Sequence, residues 1–465
     1  MNMEHIFRAY DIRGIFNKEL TSDIAAKIGA AFGTYLDGRG NVLIARDGRT
    51  SSEIVESAFI AGLASAGCNC FTTGLVPIPT ANFKIWKGGY DTGAYITASH
   101  NPPEYNGVRF RHGDGSGYTK QNEEIKKIFL GGKFKLAAWN KLGSINKLNS
   151  NATVREYLDF LLPKFKFEKK LKVVLDSGNG VSSLTVPKAF GELGAEVFAI
   201  NAQIDGTFPG RDSEPSEASL WELKKVVAAE KADFGAGYDG DGDRVIFVND
   251  KGRVVQTEKI GIIISRDILK KKKGNIIANI ECSMILEREI EKAGGKLKRV
   301  RVGDVFVTEA IKKHQALFAM ETSAHYFMPE FYFFDDPTLV SLKLAEILSK
   351  SENSLSEMAD EIPSYPKIMK NFSCPDEIKF KAMKQIIKSF KEKGYKLDLT
   401  DGAKIIFEDG WALLRPSNTT PLIRATVEAE NNARVKELLN LAEKEFMDAT
   451  KMVKREKSVK SEGVK

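Results

Sequence analysis

The chain is poor in the residues that staple or anchor a protein. Its 465 residues include four cysteines, Cys68, Cys70, Cys282 and Cys374. That is too few for a disulfide framework and fits a reducing compartment. Cys68-Asn69-Cys70 is the close pair. With no second Cys or His pair beside it, a pair straddling a strand is expected, not a metal knot. No apolar run is long enough to span a bilayer, and Met1 to Arg8 lacks the apolar stretch of a signal peptide. A cytoplasmic protein with no membrane partner is therefore expected. Zinc-finger spacing and an RNA-binding aromatic signature are both missing. The formal net charge of +7 is thus no argument for a nucleic-acid partner. Much of the excess lies in Lys451 to Lys465, read as part of a flexible, basic, solvated tail over 449–465. An anionic small substrate explains a basic cleft equally well.

What is present is a long soluble-type chain, 42% hydrophobic, with material for about three or four domains. A pattern recurs three times. Val42-Leu43-Ile44-Ala45 reads as a strand, followed by Asp47, Ser51-Ser52, a helical stretch, Gly67 and a second strand near Phe71. Val173-Val174-Leu175 restarts it with Asp176, Ser182-Ser183 and Gly194, and Ile276-Ile277-Ala278 with Glu281, Ser283 and Gly294-Gly295. Strand, serine-capped helix, glycine stop and strand make a βαβ unit. Each unit leads to a later strand and a polar loop, and the three loops are expected to line one cleft. The ending differs. A helix over Ala382 to Lys393, strands at Ile405-Ile406-Phe407, Trp411 to Leu414 and Leu422 to Val427, and a helix from Ala433 to Met447 suggest a small α+β domain. Ser351 to Pro366 reads as the hinge before it. The expected architecture is three related mixed α/β domains plus a smaller C-terminal α+β domain around a central cleft. Their bounds are 1–150, 151–252, 253–365 and 366–448.

The loops carry the chemistry. Thr92-Gly93-Ala94-Tyr95-Ile96 reads as a buried strand. It runs into Thr97-Ala98-Ser99-His100-Asn101-Pro102, where proline ends it and a serine hydroxyl is presented just past the strand end. In the second loop Asp239, Asp241 and Asp243 alternate with glycines. Three carboxylates at one centre repel unless a cation lies between them, and hard oxygen donors favour Mg²⁺ or Ca²⁺. A calcium hand is excluded, because Arg244 stands where its loop needs glycine. The third loop offers Glu321, Ser323 and His325 at alternating positions. A fourth, Arg415-Pro416-Ser417-Asn418-Thr419-Thr420-Pro421 with Arg424 after it, has the arginines, hydroxyls and free N–H groups that cradle a phosphate. Taken singly, each also reads as an ordinary polar turn.

These four loops, in this order, resemble those of the α-D-phosphohexomutases, closest to the phosphomannomutase/phosphoglucomutase branch, over about Phe7 to Met447. Phe7-Arg8-Ala9-Tyr10-Asp11-Ile12-Arg13-Gly14 resembles that family's N-terminal motif, whose tyrosine and arginine reach the active site. The resemblance implies a mutase interconverting hexose 1-phosphate and hexose 6-phosphate, of mannose or glucose. It implies a phosphoserine at Ser99 and a hexose 1,6-bisphosphate that also serves as activator. Mg²⁺ would be held by Asp239, Asp241, Asp243 and an oxygen on Ser99. Three carboxylates and Mg²⁺ leave roughly −1, and phosphoserine adds about −1.5 to −2, so cations are needed to admit a sugar phosphate. Arg8, Arg13, Arg109 and Arg244 are the candidates. Tyr10, Glu321, Ser323, His325, Arg415, Ser417, Asn418, Thr419 and Arg424 are the expected substrate contacts, with Glu321 and Ser323 at the C3 and C4 hydroxyls. His100 and His325 are the acid–base candidates. Three positions depart from the pattern: Arg109 replaces a lysine, and Met320 and Ala324 replace glycines, so a stiffer or displaced loop is expected. Val302-Gly303-Asp304 also fits a phosphoglucosamine mutase, and the departures leave room for a sugar-phosphate-binding protein without turnover. A monomer or homodimer that binds small hexose phosphates and no nucleic acid completes the expectation.

Overall fold

The computed structural model describes residues 3–8, 10–417 and 421–462, with side chains through Lys454. The loop positions Asn418, Thr419 and Thr420 lie outside the described residues. Three α/β sheets and one antiparallel sheet follow one another along the chain. The first sheet orders its strands Ile12–Ile15, Tyr105–His112, Thr92–Ile96, Asn41–Arg46, Asn69–Leu75 and Ile145–Lys147. The second runs Val245–Asn249, Phe234–Tyr238, Lys172–Asp176, Glu196–Ile200. The third runs Tyr326–Phe327, Phe318–Met320, Asn275–Asn279, Lys296–Val300.

One topology is therefore used three times. In each sheet the opening strand pairs parallel with the strand after its helix and parallel with the loop-bearing strand. The loop-bearing strand then pairs antiparallel with its successor. Each site loop is the reversal between those last two strands, so Ser99, Asp239–Asp243 and Glu321–His325 leave equivalent strand ends. The strand Thr92–Ile96 has the expected bounds and is buried at all five residues. Stop glycines take the left-handed backbone that ends a helix, with φ +106° at Gly67 and +87° at Gly194.

The serine caps are not formed as expected. Ser51, Thr185 and Met284 occupy the N-cap positions and none makes a side-chain cap bond. The hydroxyls are used elsewhere: Ser51 Oγ accepts from Asn106 Nδ2 at 2.8 Å, and Ser52 Oγ donates to Asp47 at 2.5 Å. Side-chain caps appear instead at Asn149, Asp336 and Ser354. The Ser354 cap opens a helix, Leu355–Asp360, inside the stretch expected to be a hinge. Leu355, Ala359 and Ile362 are buried there, and Ser356 bonds Asp250 through both N–H and hydroxyl.

The C-terminal sheet is antiparallel throughout, ordered Lys367–Ser373, Leu422–Ala429, Gly410–Pro416, Ala403–Ile406, Leu397–Asp398. Helices Asp376–Glu392 and Asn432–Glu462 cover it. The last helix corrects the expected stop at Met447, running on to Glu462 through most of the stretch expected to be a flexible tail. Ala449 and Val453, four residues apart, are buried in the core of this domain and carry the helix onward. Ile280, Trp411 and Leu413 form the small apolar contact between this domain and the third. Among the described residues, no helix is long and apolar enough to cross a membrane.

Candidate active site

The serine loop is wound tightly. Ser99 has φ +53°, a left-handed conformation rare for a residue with a side chain, and is buried. Its N–H donates to Thr97 Oγ1 at 2.7 Å, and its Oγ lies 3.1 Å from His100 Nδ1 and 3.4 Å from Asp239 Oδ2. Arg13 flanks the loop, donating to the Ala98 carbonyl at 3.1 Å and to Asn101 Oδ1 at 2.7 Å. The positive charge of Arg244 and burial hold His100 well below its ordinary range, so it faces the serine as a neutral imidazole.

Across from it, Asp239, Asp241 and Asp243 bring one oxygen each within 4.8 Å of one another, all buried. The N–H groups of Gly242, Asp243 and Arg244 all donate to Asp239 Oδ1 at 3.1 Å, which curls the loop around that carboxylate. Asp241 Oδ1 is buried with no hydrogen-bond partner. Burial and the neighbouring carboxylates push Asp239 well up and Asp241 up to about 6. An orphaned oxygen, converging carboxylates and proton affinities raised by crowding are what a divalent cation relieves. The three residues fit such an ion.

Asp243 is also the junction with the other two domains. Arg109 Nη1 meets it at 2.7 Å, and His325 Nε2 at 3.2 Å. Arg109 Nη2 meets Asp304 at 2.8 Å, which Arg111 also approaches at 3.5 Å. Burial opposes the Arg109 charge, but Asp304 and Asp243 outweigh it and raise its proton affinity. Arg109 is therefore a fixed cation and no proton acceptor. His325 is likewise opposed by burial and yet held well above its ordinary range by Asp243, with Glu321 assisting. Asp335, 3.7 Å from His325, joins a second acidic and histidine group through Asp243, and burial raises it to about 7. Arg244 Nε lies 3.3 Å from His325 Nε2 and approaches Asp239 and Asp243 at 3.9 Å.

In the third loop, Glu321 Oε1 accepts from Gly303 N–H at 2.8 Å and Asn279 Nδ2 at 3.1 Å, while Ser323 Oγ lies 3.1 Å from His325 Nδ1. The expected displacement of this loop does not occur by loss of the turn. Ala324 adopts φ +67°, the conformation a glycine would take there. Met320 is buried in its strand because Gly261 leaves room: a Cβ on Gly261 would lie 2.2 Å from the Met320 sulfur. Tyr10 reaches the same region, its hydroxyl on the Val302 carbonyl at 3.3 Å. The main-chain N–H of Arg8 donates to the Asp11 carbonyl at 2.8 Å.

In the fourth loop Arg415 and Arg424 are directly opposed across two antiparallel strands. Arg415 Nε and Nη2 lie 3.1 and 3.0 Å from Glu281 of the third domain; Arg424 is bonded to Asn371 at 3.2 Å. Ser417 N–H bonds the Leu422 carbonyl at 2.9 Å, closing the loop base. The residues that sequence reasoning missed are Arg49, Thr97, Arg111 and Arg211. Thr97 sits inside the noted loop. The arginines carry no local motif, because most of their partners are main-chain carbonyls or distant carboxylates.

Comparison with known proteins agrees with this geometry. Four consecutive segments match the Phosphoglucomutase/phosphomannomutase models: alpha/beta/alpha domain I at residues 4–135, domain II at 155–252, domain III at 256–365 and the C-terminal domain at 369–444. A phosphoglucomutase/phosphomannomutase of Thermococcus kodakarensis is 36% identical over 97% of this chain and 100% of its own. A probable phosphoglucosamine mutase of Pyrococcus abyssi is 38% identical over 97% and 99%. A phosphoglucomutase/phosphomannomutase family protein from Burkholderia thailandensis has a solved structure that superposes with a TM-score of 0.86 at 28% identity, covering 97% and 98%. The chain belongs to the phosphoglucomutase/phosphomannomutase family of α-D-phosphohexomutases, and is an intramolecular phosphotransferase of that superfamily.

Proposed function

We propose that this phosphohexomutase interconverts glucosamine 1-phosphate and glucosamine 6-phosphate, with Ser99 carrying the phosphoryl group. Ser99 gives its phosphoryl to the free hydroxyl of the bound sugar phosphate. The resulting 1,6-bisphosphate turns over and returns its other phosphate to Ser99. Free hexose 1,6-bisphosphate recharges a serine that has lost its phosphate, which makes it the activator. Asp239, Asp241 and Asp243, with an oxygen on Ser99, would hold Mg²⁺, which when bound neutralises charge on the group in transfer. Arg13 and Arg244 supply fixed positive charge beside the serine. His100 Nδ1, 3.1 Å from Ser99 Oγ, is placed to exchange a proton with the serine as phosphate leaves and returns. Arg415, Ser417, Asn418, Thr419 and Arg424 grip the phosphate that is not reacting, while Tyr10, Glu321, Ser323 and His325 hold the ring.

The choice of sugar is carried by the Val302-Gly303-Asp304 turn. Its Gly303 N–H rests on Glu321 Oε1, so the turn and the sugar loop join at that carboxylate, while Asp304 is engaged by Arg109 and Arg111. An amino substituent on the ring would be attracted to the Glu321 carboxylate, and the Pyrococcus abyssi relative bears the name of a probable phosphoglucosamine mutase. Glucose and mannose phosphates form the second reading. It is supported by the Thermococcus kodakarensis relative; contacts of Glu321 and Ser323 with C3 and C4 would suit all three sugars, which differ only at C2. Coupled assays on glucosamine, glucose and mannose 1-phosphates test the choice. The highest kcat/KM is expected for glucosamine 1-phosphate. A preference above roughly tenfold, about 1.4 kcal/mol, for either neutral sugar overturns it.

A further inference from the structure

We infer that two buried arginines, Arg49 and Arg211, are positioning residues that fix the serine loop and the metal loop by capping their main-chain carbonyls. Arg49 donates from Nη2 to the carbonyls of Ser99 and Asn101, both at 2.6 Å. From Nη1 it donates to the carbonyls of Pro102 at 2.6 Å and Tyr105 at 3.1 Å. Its Nε meets Asp47 Oδ2 at 3.1 Å, and neither side chain of that pair is exposed. Asp47 lies just past the end of the opening strand of the first repeat. The same carboxylate accepts from Thr97 Oγ1 at 2.7 Å, and Thr97 Oγ1 receives the Ser99 N–H. The serine is thus held from both sides, its N–H through Thr97 and its carbonyl through Arg49.

The second repeat has the same device from a different part of the chain. Arg211 Nε meets Asp176 Oδ2 at 2.7 Å, and Asp176 ends that repeat's opening strand. Its Nη2 donates at 2.6 Å to the carbonyl of Tyr238, the residue immediately before Asp239. Arg49 follows its aspartate by two residues and Arg211 by thirty-five. Two routes along the chain thus reach one arrangement, an aspartate at the strand end holding an arginine on the neighbouring strand's loop. Phe208 of the second domain lies over the Arg49 guanidinium at 5.2 Å, and Ser213 Oγ donates to the His100 carbonyl at 2.8 Å, so the segment that carries Arg211 also touches the serine loop and its clamp.

The planar five-donor fork of arginine makes this possible, and a lysine ammonium with three donors cannot span four carbonyls in one plane. A left-handed serine persists only where its surroundings over-determine it. The clamp does so without occupying the cleft, since every donor used here faces main chain or a strand-end carboxylate.

The role at Ser99 rests on the phosphoserine reading given above, so the test separates the two. Hydrogen exchange is measured on the full chain for Arg49→Lys and Arg211→Lys. Faster exchange is expected at 97–106 in the first and at 238–244 in the second, with the other loop unchanged in each. Phe208→Leu, which uncovers Arg49 without removing a donor, should loosen 97–106 to a smaller degree and serves if Arg49→Lys does not fold. In turnover, Arg49→Lys should lower kcat by about a hundredfold and leave KM within about threefold, as expected for a misplaced reacting group. Unchanged loop exchange, or exchange raised evenly over a whole domain with kcat per folded molecule intact, overturns the inference. Loop-specific exchange in the variants supports the clamp even if the wild type takes up no phosphate from glucose 1,6-bisphosphate, an outcome that would overturn the phosphoserine reading alone.

Discussion

At the scale of single residues, the site is a set of side chains whose charge states are fixed by their neighbours. Ser99→Ala is expected to abolish covalent phosphate on the protein, read by intact mass after incubation with glucose 1,6-bisphosphate. Turnover should fall at least a thousandfold. Asp241→Asn should weaken Mg²⁺ binding in a titration calorimeter without lowering the melting temperature, because Asp241 Oδ1 holds no partner and the amide oxygen of Asn can still accept from Thr97 Oγ1 in place of Oδ2. Ala324 offers the opposite kind of test. Its φ of +67° strains a β-branched residue most and its methyl is buried, so Ala324→Val should lower the melting temperature by at least about 2–4 °C. Ser99 and the three aspartates stand out in the sequence because small residues and aspartates are spaced unusually there. Arg49 does not, because a guanidinium bonded to carbonyls leaves no partner residue type to look for. The Asp304–Arg109 pair was equally hidden, lying 195 positions apart along the chain.

At the scale of elements, the apolar runs announced the strands well. Thr92–Ile96 was read with its observed bounds, since five buried residues followed by a proline-rich turn leave little choice of boundary. The helix starts were misread where the serines expected to cap them bond elsewhere instead, as Ser51 and Ser52 do with Asn106 and Asp47. The last helix outran its expected end because Ala449 and Val453 extend its apolar face into a lysine-rich stretch. The contact of Gly261 with Met320 was invisible locally, since the two residues lie on different elements. It makes a clean element-scale prediction. Gly261→Ala should destabilise by about 1–3 kcal/mol through overpacking, measured by urea unfolding. Adding Met320→Ala should recover part of that loss, giving a non-additive double-mutant cycle.

At the scale of the whole molecule, the C-terminal domain is held to the third by a small apolar contact and by buried polar groups around it. Lys404 donates to the Ile280 carbonyl at 2.8 Å and lies 3.9 Å over the Trp411 ring. Burial, with Arg299 adding to it, lowers its proton affinity to about 7 from 10.5. Between those values the unfolded chain binds a proton that the folded protein does not. The Lys404 contribution to stability therefore increases as pH rises through this window. Urea midpoints for the wild type and Lys404→Met at pH 7, 8.5 and 10 should diverge accordingly, the wild type gaining relative to the variant. Equal slopes would show that Lys404 keeps its proton when folded.

The fork at Arg109 has a consequence for recombination. One of its amino groups serves Asp243 of the second domain and the other Asp304 of the third, so three modules meet on a single side chain of the first. A first module transplanted from a lysine-bearing family member would bring one charged point to a junction shaped for two. Such a chimera would fold its parts and misalign their meeting place. Exchanging the first three modules together would keep that junction intact, and exchanging one alone would not.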